Sequence, residues 1–421
     1  MSEREALSPE SYKGVRDFYP ADWAGLSVIF GITRYLLQLW GYEEYQASPL
    51  ERSELYESKG NEEIIKEQTY TFEDRGGRRV TLRPEMTPTL ARMVAAKRGE
   101  LAFPLRWFSI GNRFRYERPQ RGRLREFYQT DIDLVGAPEG EADLEIVTLA
   151  STILKSFGAT DADFKIRLSS RALLGAACRA TGLTDQEGVR AYWQLLDKKA
   201  KMSEEEFASA RGGQPDPLAA VEEATDPEVK KEKDKMLAMV AELQARGISN
   251  VFFDPEIVRG FDYYTGMVFE VQDTNPENPR ALFGGGRYDG LVSLFGGSPI
   301  PAVGFAFGDV TFTDFLKTHN LIRTISSTPH VYLATPSAED IKEAQLFKRA
   351  FGPHLRVFVN LTEKKLGDQL KDADKREIPI VVVYGSEERE KGVVKVKDMR
   401  SGKEEETPVK DVAAAVQRLL G

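Results

Sequence analysis

Seven arginines fall between Arg106 and Arg125, and Glu117 is the only acid among them. Side-chain alternation along an extended chain sorts these residues into faces. In WFSIGNRFRYE (Trp107 to Glu117), Phe108, Ile110, Phe114 and Tyr116 share one face, and Ser109, Gly111, Arg113 and Arg115 share the other. In RLREFYQTDIDLVG (Arg123 to Gly136), Arg125, Phe127, Gln129, Asp131 and Asp133 share a face, opposite Tyr128, Ile132 and Leu134. Two such strands joined by a cationic loop, Glu117 to Arg123, form a hairpin that displays arginines, an amide, carboxylates and one phenyl ring. Arginine grips phosphate through a forked, charge-assisted pair. The ring can stack on a base, and the carboxylates can select a cationic or hydrogen-bonding substrate. A salt-laced surface hairpin has the same spacing, so spacing alone leaves both readings open.

The elements that must position this hairpin can be read from periodicity. Asp22 to Trp40 has helical spacing and stops at Gly41, and Tyr42 to Leu50 is extended around Pro49. Gln68 to Glu85 reads as a hairpin turning at Arg75-Gly76-Gly77, and Thr87 to Lys97 and Glu141 to Phe157 read as helices. Asp163 to Ser169 reads as a short strand. From about 170 to 246 the composition shifts to charged, helical segments broken by Gly212, Gly213, Pro215 and Pro217, an inserted helical subdomain. Strand patterns return from Val251 to Val271; Phe283 to Gly290 reads as a glycine turn and Ala302 to Phe307 as a buried strand. A polar linker, Arg323 to Pro329, precedes alternating strands and helices whose apolar runs imply a small, mostly parallel α/β domain. The expected division is a larger domain over 1–325 and an α/β domain over 326–421.

Composition narrows the function classes. With 421 residues, two to three domains are expected. The single cysteine, Cys178, excludes an internal disulfide and a multi-cysteine zinc site, and its apolar neighbours suggest a buried helix. His319, His330 and His354 have no metal-ligand spacing, so no metal site is expected. A formal charge of −8 argues against non-specific coating of nucleic acid but permits a local basic site. No run of about 18 apolar residues occurs and the polar start lacks a signal-peptide core, so a cytoplasmic protein with no membrane span is expected.

FRYERPQRGRLREFYQ (Phe114 to Gln129) resembles motif 2 of the class II aminoacyl-tRNA synthetases, in the wording of the histidyl-tRNA synthetases. KGVRDFYP (Lys13 to Pro20), TLRPEMTP (Thr81 to Pro88), VRGFDYYTGMVFE (Val258 to Glu270) and GGGRYDGL (Gly284 to Leu291) resemble further segments of that family, in order. LTEKKLGDQLKDADKREIPIVVVYG (Leu361 to Gly385) resembles the anticodon-binding domain shared by several class II enzymes. The resemblance implies an α+β catalytic domain built on a six-stranded antiparallel sheet, a C-terminal α/β anticodon-binding domain, and a homodimer whose interface includes Asp22 to Trp40 and the Pro49 segment.

It also implies a reaction: ATP-dependent activation of L-histidine to histidyl-adenylate, with transfer to the 3′ end of tRNA(His) and Mg2+ bridging phosphates. Arg115 and Arg259 match the two arginines expected on the α-phosphate, Phe127 the ring stacked on adenine, and Glu117 and Arg123 positions near the nucleotide. Glu85, Thr87 and Gln129 match the residues that hold the amino group. Tyr264, beside Tyr263, and Asp133 match those that hold the imidazole nitrogens, and Tyr288 closes the pocket. Arg118 and Gln120 sit in the loop that meets the tRNA acceptor end. Lys364, Lys365, Lys371 and Lys375 either serve anticodon binding or are simply solvated.

One departure stands out. The family's third motif usually ends in an arginine that grips the γ-phosphate and adenine side of ATP, and the matching position in AVGFAFGDVTFTDFL is Thr311. Either another cation, Arg287, substitutes, or the site binds ATP less well. The rival reading is a non-catalytic, synthetase-like regulatory subunit of ATP phosphoribosyltransferase, a paralogue type that usually lacks the anticodon domain.

Overall fold

The computed structural model describes residues 7–57, 68–199, 202–259, 263–278, 280–322 and 328–421. The chain divides into two units: Met1–Asp17 with Gly25–Arg323, and Phe18–Ala24 with Thr324–Gly421. The expected border between 325 and 326 lies outside the described residues.

The larger unit is organised by an eight-stranded sheet. In chain order its neighbourhood contains β1 (Glu43–Glu44), β2 (Leu50–Arg52), β3 (Tyr70–Glu73), β4 (Arg79–Leu82), β5 (Leu105–Phe114), β6 (Glu126–Val135), β7 (Phe164–Ser170), β8 (Val251–Phe253), β9 (Met267–Asp273), β10 (Ala281–Arg287) and β11 (Ala302–Gly308). The spatial order is β1-β5-β6-β11-β10-β9-β7-β8. The six strands from β5 to β7 in that order pair antiparallel throughout, as the family resemblance implies. Short β1 and β8 add at the two edges in parallel. Strands β2, β4 and β3 form a separate three-stranded sheet. Its turn is set locally, because the Asp74 carboxylate accepts from the backbone of Gly76 and Arg78 while Gly77 takes φ 73°.

Helices cover the sheet where the sequence is amphipathic. Glu141–Ser156 buries Ile146, Val147, Leu149, Ala150, Ile153 and Leu154, and Thr87–Ala96 buries Leu90, Ala91 and Val94. The 170–246 insertion is helical: Arg171–Ala180, Gln186–Lys198, Glu204–Ala210, Pro217–Glu223 and Pro227–Ala245. Ser170, Asp185, Ser203, Asp216 and Asp226 cap these helices through their side chains, which explains why so charged a stretch breaks into discrete elements. Cys178 is fully buried in the first of them.

In the smaller unit, β12 (Val331–Ala334), β13 (Val357–Val359), β14 (Ile380–Val383), β15 (Val393–Asp398) and β16 (Glu404–Pro408) form a sheet ordered β13-β12-β14-β15-β16. Only β13, β12 and β14 are parallel; β15 and β16 return antiparallel. The sheet is therefore more mixed than its buried strands suggested. Strand β16 carries no strand signal in the sequence, because EEETP has neither an apolar run nor a clean alternation.

The expected glycine turn at Phe283 to Gly290 is also corrected. Gly284, Gly285 and Gly286 lie inside β10, paired with β9 on one side and β11 on the other. Their lack of side chains serves close approach rather than turning.

Candidate active site

The site is set by strand register. Across the β5–β6 hairpin, Trp107 faces Asp133, Ser109 faces Asp131, Gly111 faces Gln129 and Arg113 faces Phe127, so one face carries the chemistry. On the other side of β6, Gln129, Asp131 and Asp133 face Gly308, Ala306 and Gly304 of β11, whose next neighbours on β10 are Gly284 opposite Ala306 and Gly286 opposite Gly304. These small residues pave a floor on which larger side chains lie. A Cβ on Gly286 would come within 2.9 Å of the Tyr264 ring, and one on Gly284 within 3.0 Å of the Arg259 guanidinium. One on Gly304 would collide with the Asp133 carboxylate.

Above this floor lies a cavity of about 300 Å³. Arg115, Glu117, Arg123 and Phe127 line it, as do Glu85, Thr87, Gln129, Asp133, Tyr263, Tyr264 and Tyr288. Arg259 enters from the segment after the helical insertion. Every residue expected to contact ATP or histidine, Arg287 apart, is thus brought to one cavity. Arg118 and Gln120 are exposed and outside it.

The arginine Arg115 is aimed by its Nε, which donates to the Pro84 carbonyl at 3.0 Å. Its guanidinium carbon sits 5.4 Å from the centre of the Phe127 ring. Arg259 donates to Glu270 at 3.0 Å, and Arg123 pairs with Glu117 at 3.1 Å. Among the described residues, neither Glu85 nor Asp133 forms an ion pair. Tyr263 donates its hydroxyl to Glu85 at 2.9 Å. Burial pushes the Glu85 carboxyl up to about 7, while Arg115 and the Tyr263 hydroxyl oppose that rise. Tyr288 donates to Asp133 Oδ1. Burial pushes Asp133 up to about 8, against the Tyr288 bond, with Asp131 adding to the rise and Arg113 opposing it. The other oxygen, Asp133 Oδ2, is buried with no partner among the described residues. A cluster of tyrosine rings, Tyr264–Tyr263–Tyr288, walls this end with centroid spacings of 5.0 and 5.9 Å, the first pair tilted and the second edge-to-face.

A supporting layer was not anticipated as functional. Arg113, fully buried, pairs with Asp131, which also accepts from Gln129 at 2.6 Å. Asp131 lies on the expected face by alternation; its pairing with Arg113 of the same face is set only by the folded hairpin. Arg83 braces the same region by donating to the carbonyls of Asn112 and Ala47 at 3.0 and 2.9 Å. Glu270 closes the quoted 258–270 segment and needed only the β9–β10 pairing to reveal its partner, Arg259.

Thr311 lines the cavity and donates to the Leu282 carbonyl at 2.9 Å. Arg287 does not replace a missing arginine there. It is 2 % exposed, points to the other side of β10, and is held by Asp143 at 2.9 Å and Asp289 at 3.0 Å. Odd and even positions of a strand face opposite ways, so Arg287 cannot share the face of Gly284 and Gly286. Among the described residues no three histidine, cysteine or acidic side chains cluster as metal ligands, and no helix is long and apolar enough to cross a membrane.

A family model described as histidyl-tRNA synthetase matches residues 14–309, and one described as anticodon binding domain matches residues 331–419. The histidine–tRNA ligase of Leptospira biflexa is 38% identical over 415 residues, covering 95% of each chain. That of Natronomonas pharaonis is 37% identical over 432 residues, covering 95% of this chain and 96% of its own. The crystal structure of histidyl-tRNA synthetase from Nostoc sp. PCC 7120 superposes with a TM-score of 0.74 over 98% of this chain and 100% of its own, at 22% identity, a likeness of fold.

Proposed function

This chain belongs to the histidyl-tRNA synthetase family, and from that premise we propose how its cavity divides the labour of charging tRNA with histidine. It is a class II aminoacyl-tRNA synthetase that consumes ATP. The carboxylate of histidine attacks the α-phosphorus of ATP, the bond to the β-phosphate oxygen breaks, and pyrophosphate leaves. The 3′-terminal ribose hydroxyl of tRNA(His) then attacks the adenylate carbonyl and releases AMP.

Arg115, just after β5, and Arg259, between β8 and β9, face the α-phosphate from two segments and stabilise the charge that builds up as the new bond forms. Phe127 stacks on adenine, and Glu117 and Arg123 flank the nucleotide. Magnesium arrives on the ATP phosphates, as part of the substrate. Glu85, Thr87 and Gln129 hold the α-ammonium group. Asp133 accepts from one imidazole nitrogen through its unpartnered Oδ2, and Tyr264 meets the other. A carboxylate on one ring nitrogen fixes the tautomer, and a buried hydrogen-bonding slot rejects side chains that leave its groups unpaired. Arg118 and Gln120 meet the acceptor end, and the exposed Lys364, Lys365, Lys371 and Lys375 face the anticodon. The protein acts in the cytoplasm as a homodimer; exposed Tyr35, Leu39 and Leu50 support a covered surface there.

The observation that carries this reading is the meeting in one cavity of two arginines from separate parts of the chain, Arg115 just after β5 and Arg259 between β8 and β9, with a carboxylate-and-tyrosine slot. Pyrophosphate exchange into ATP, run with each standard amino acid, tests it. Exchange with histidine alone is expected, and its loss in Arg115→Ala and Arg259→Ala. Exchange with none of the amino acids would overturn it. The regulatory-subunit reading is not favoured, because the anticodon domain is matched over 331–419.

A further inference from the structure

The main cavity is short of free cations for a triphosphate. Arg115, Arg123 and Arg259 share it with Glu85, Glu117, Asp131 and Asp133. Two of the three arginines are already paired, Arg123 with Glu117 and Arg259 with Glu270. A second cavity, of about 240 Å³, adjoins the first and shares Gly122, Leu282 and Thr311 with it. Two further arginines line it, Arg121 and Arg280. Gly122, at φ 77°, parts the chain so that Arg123 serves the first cavity and Arg121 the second.

Arg121 is held in place. It donates to Asn278 Oδ1 at 3.0 Å, and the Asn278 amide donates to Asp273 at 2.7 Å and to Thr318 at 3.1 Å. His319 bridges Asp273 and Asp163 at 2.8 and 3.1 Å and so anchors this line. Arg280 is exposed and forms no ion pair with any described residue. Two acids also line the cavity: Glu277, which is exposed, and Asp314, which is 4.0 Å from Arg121. Thr311 lines both cavities as a short side chain whose hydroxyl is turned to the Leu282 carbonyl.

We propose that Arg121 and Arg280 form a second anion subsite, reached past Thr311, that holds the terminal phosphates of ATP and the departing pyrophosphate. The inference rests on the ATP-dependent reading above and adds two residues to it. Arg280→Ala, Arg121→Ala and the double variant test it, with the KM for ATP and for histidine measured by pyrophosphate exchange. Each single variant raises the ATP KM on the order of tenfold, as expected for one charged hydrogen-bond pair, and the double variant raises it further. The histidine KM stays constant, and so does the affinity for a sulfamoyl mimic of histidyl-adenylate, which lacks β- and γ-phosphates. Arg280→Lys retains part of the ATP affinity, and Thr311→Arg restores it in the Arg280→Ala background. An unchanged ATP KM in the double variant, or an equal loss of the adenylate mimic, overturns the subsite. Calorimetric binding of inorganic pyrophosphate to the wild type and the double variant needs no turnover. It therefore tests the subsite even if histidine-dependent exchange, and with it the functional reading, were to fail.

Discussion

Replacing Asp133 by asparagine removes a charge that the empty fold disfavours. The carboxyl has a folded value of about 8 against 3.8, chiefly because burial strips its water. At pH 7 it is ionised in the unfolded chain and mostly protonated in the folded one. Roughly three pH units of mismatch at about 1.4 kcal/mol each amount to on the order of 4 kcal/mol against folding. The sign follows from proton counting. Between about 4 and 8 the folded state binds more protons than the unfolded state, so stability falls as pH rises. Glu85, at about 7 against 4.5, acts in the same direction. The asparagine amide keeps an acceptor for Tyr288 but puts an N–H2 group where Oδ2 has no partner, at a cost of about 1–3 kcal/mol. The electrostatic gain is the larger, so ligand-free Asp133→Asn should be more stable than the wild type by about 1–3 kcal/mol at pH 7–8. The advantage should vanish near pH 4–5. The same change should raise the histidine KM on the order of 100-fold, since a hydrogen-bonding slot has lost its matching charge. Urea unfolding of both proteins from pH 5 to 8 reads the first effect. Parallel stability curves across that range, or a wild-type curve that climbs with pH, would refute the reasoning.

Phe127→Ala removes the ring 5.4 Å from Arg115 and should raise the ATP KM by roughly 10-fold, the loss of about 1–3 kcal/mol of stacking, with the histidine KM little changed. Tyr263→Phe removes a bond that lowers the Glu85 value, so the acid limb of the pH profile for histidine kcat/KM should move to higher pH; an unmoved limb would exclude Glu85 as its source. Cys178 is fully buried and its thiol is pushed up to about 11 by burial, so a thiol-specific disulfide reagent should label it only after denaturation.

The faces of β5 and β6 were legible in the sequence because a strand has a period of two. Once the hairpin register is known to pair Arg113 with Phe127 and Ser109 with Asp131, the face carrying Phe127, Gln129 and Asp133 follows. The helical insertion was legible for a related reason, since its Ser and Asp caps and its helical spacing are local signals. The segments after the insertion were harder. Gly284 to Gly286 carry a turn-like composition but sit in a strand, because backbone carbonyls of β9 and β11 and the side chains of Arg259 and Tyr264 come too close for any side chain. No local signal announces that need.

Residue types, alternation and motif order determined which side chains could do the chemistry and which face of each strand would carry them, since backbone sterics set those periods wherever the strand lies. Only the tertiary structure decided the rest. It sent Arg287 to Asp143 and away from the cavity, raised Glu85 and Asp133 by burying them, and set Arg121 and Arg280 beside the gap at Thr311. Burial, ion pairing and shared volume arise between residues far apart in the chain, and they take values only once the strands have been brought together.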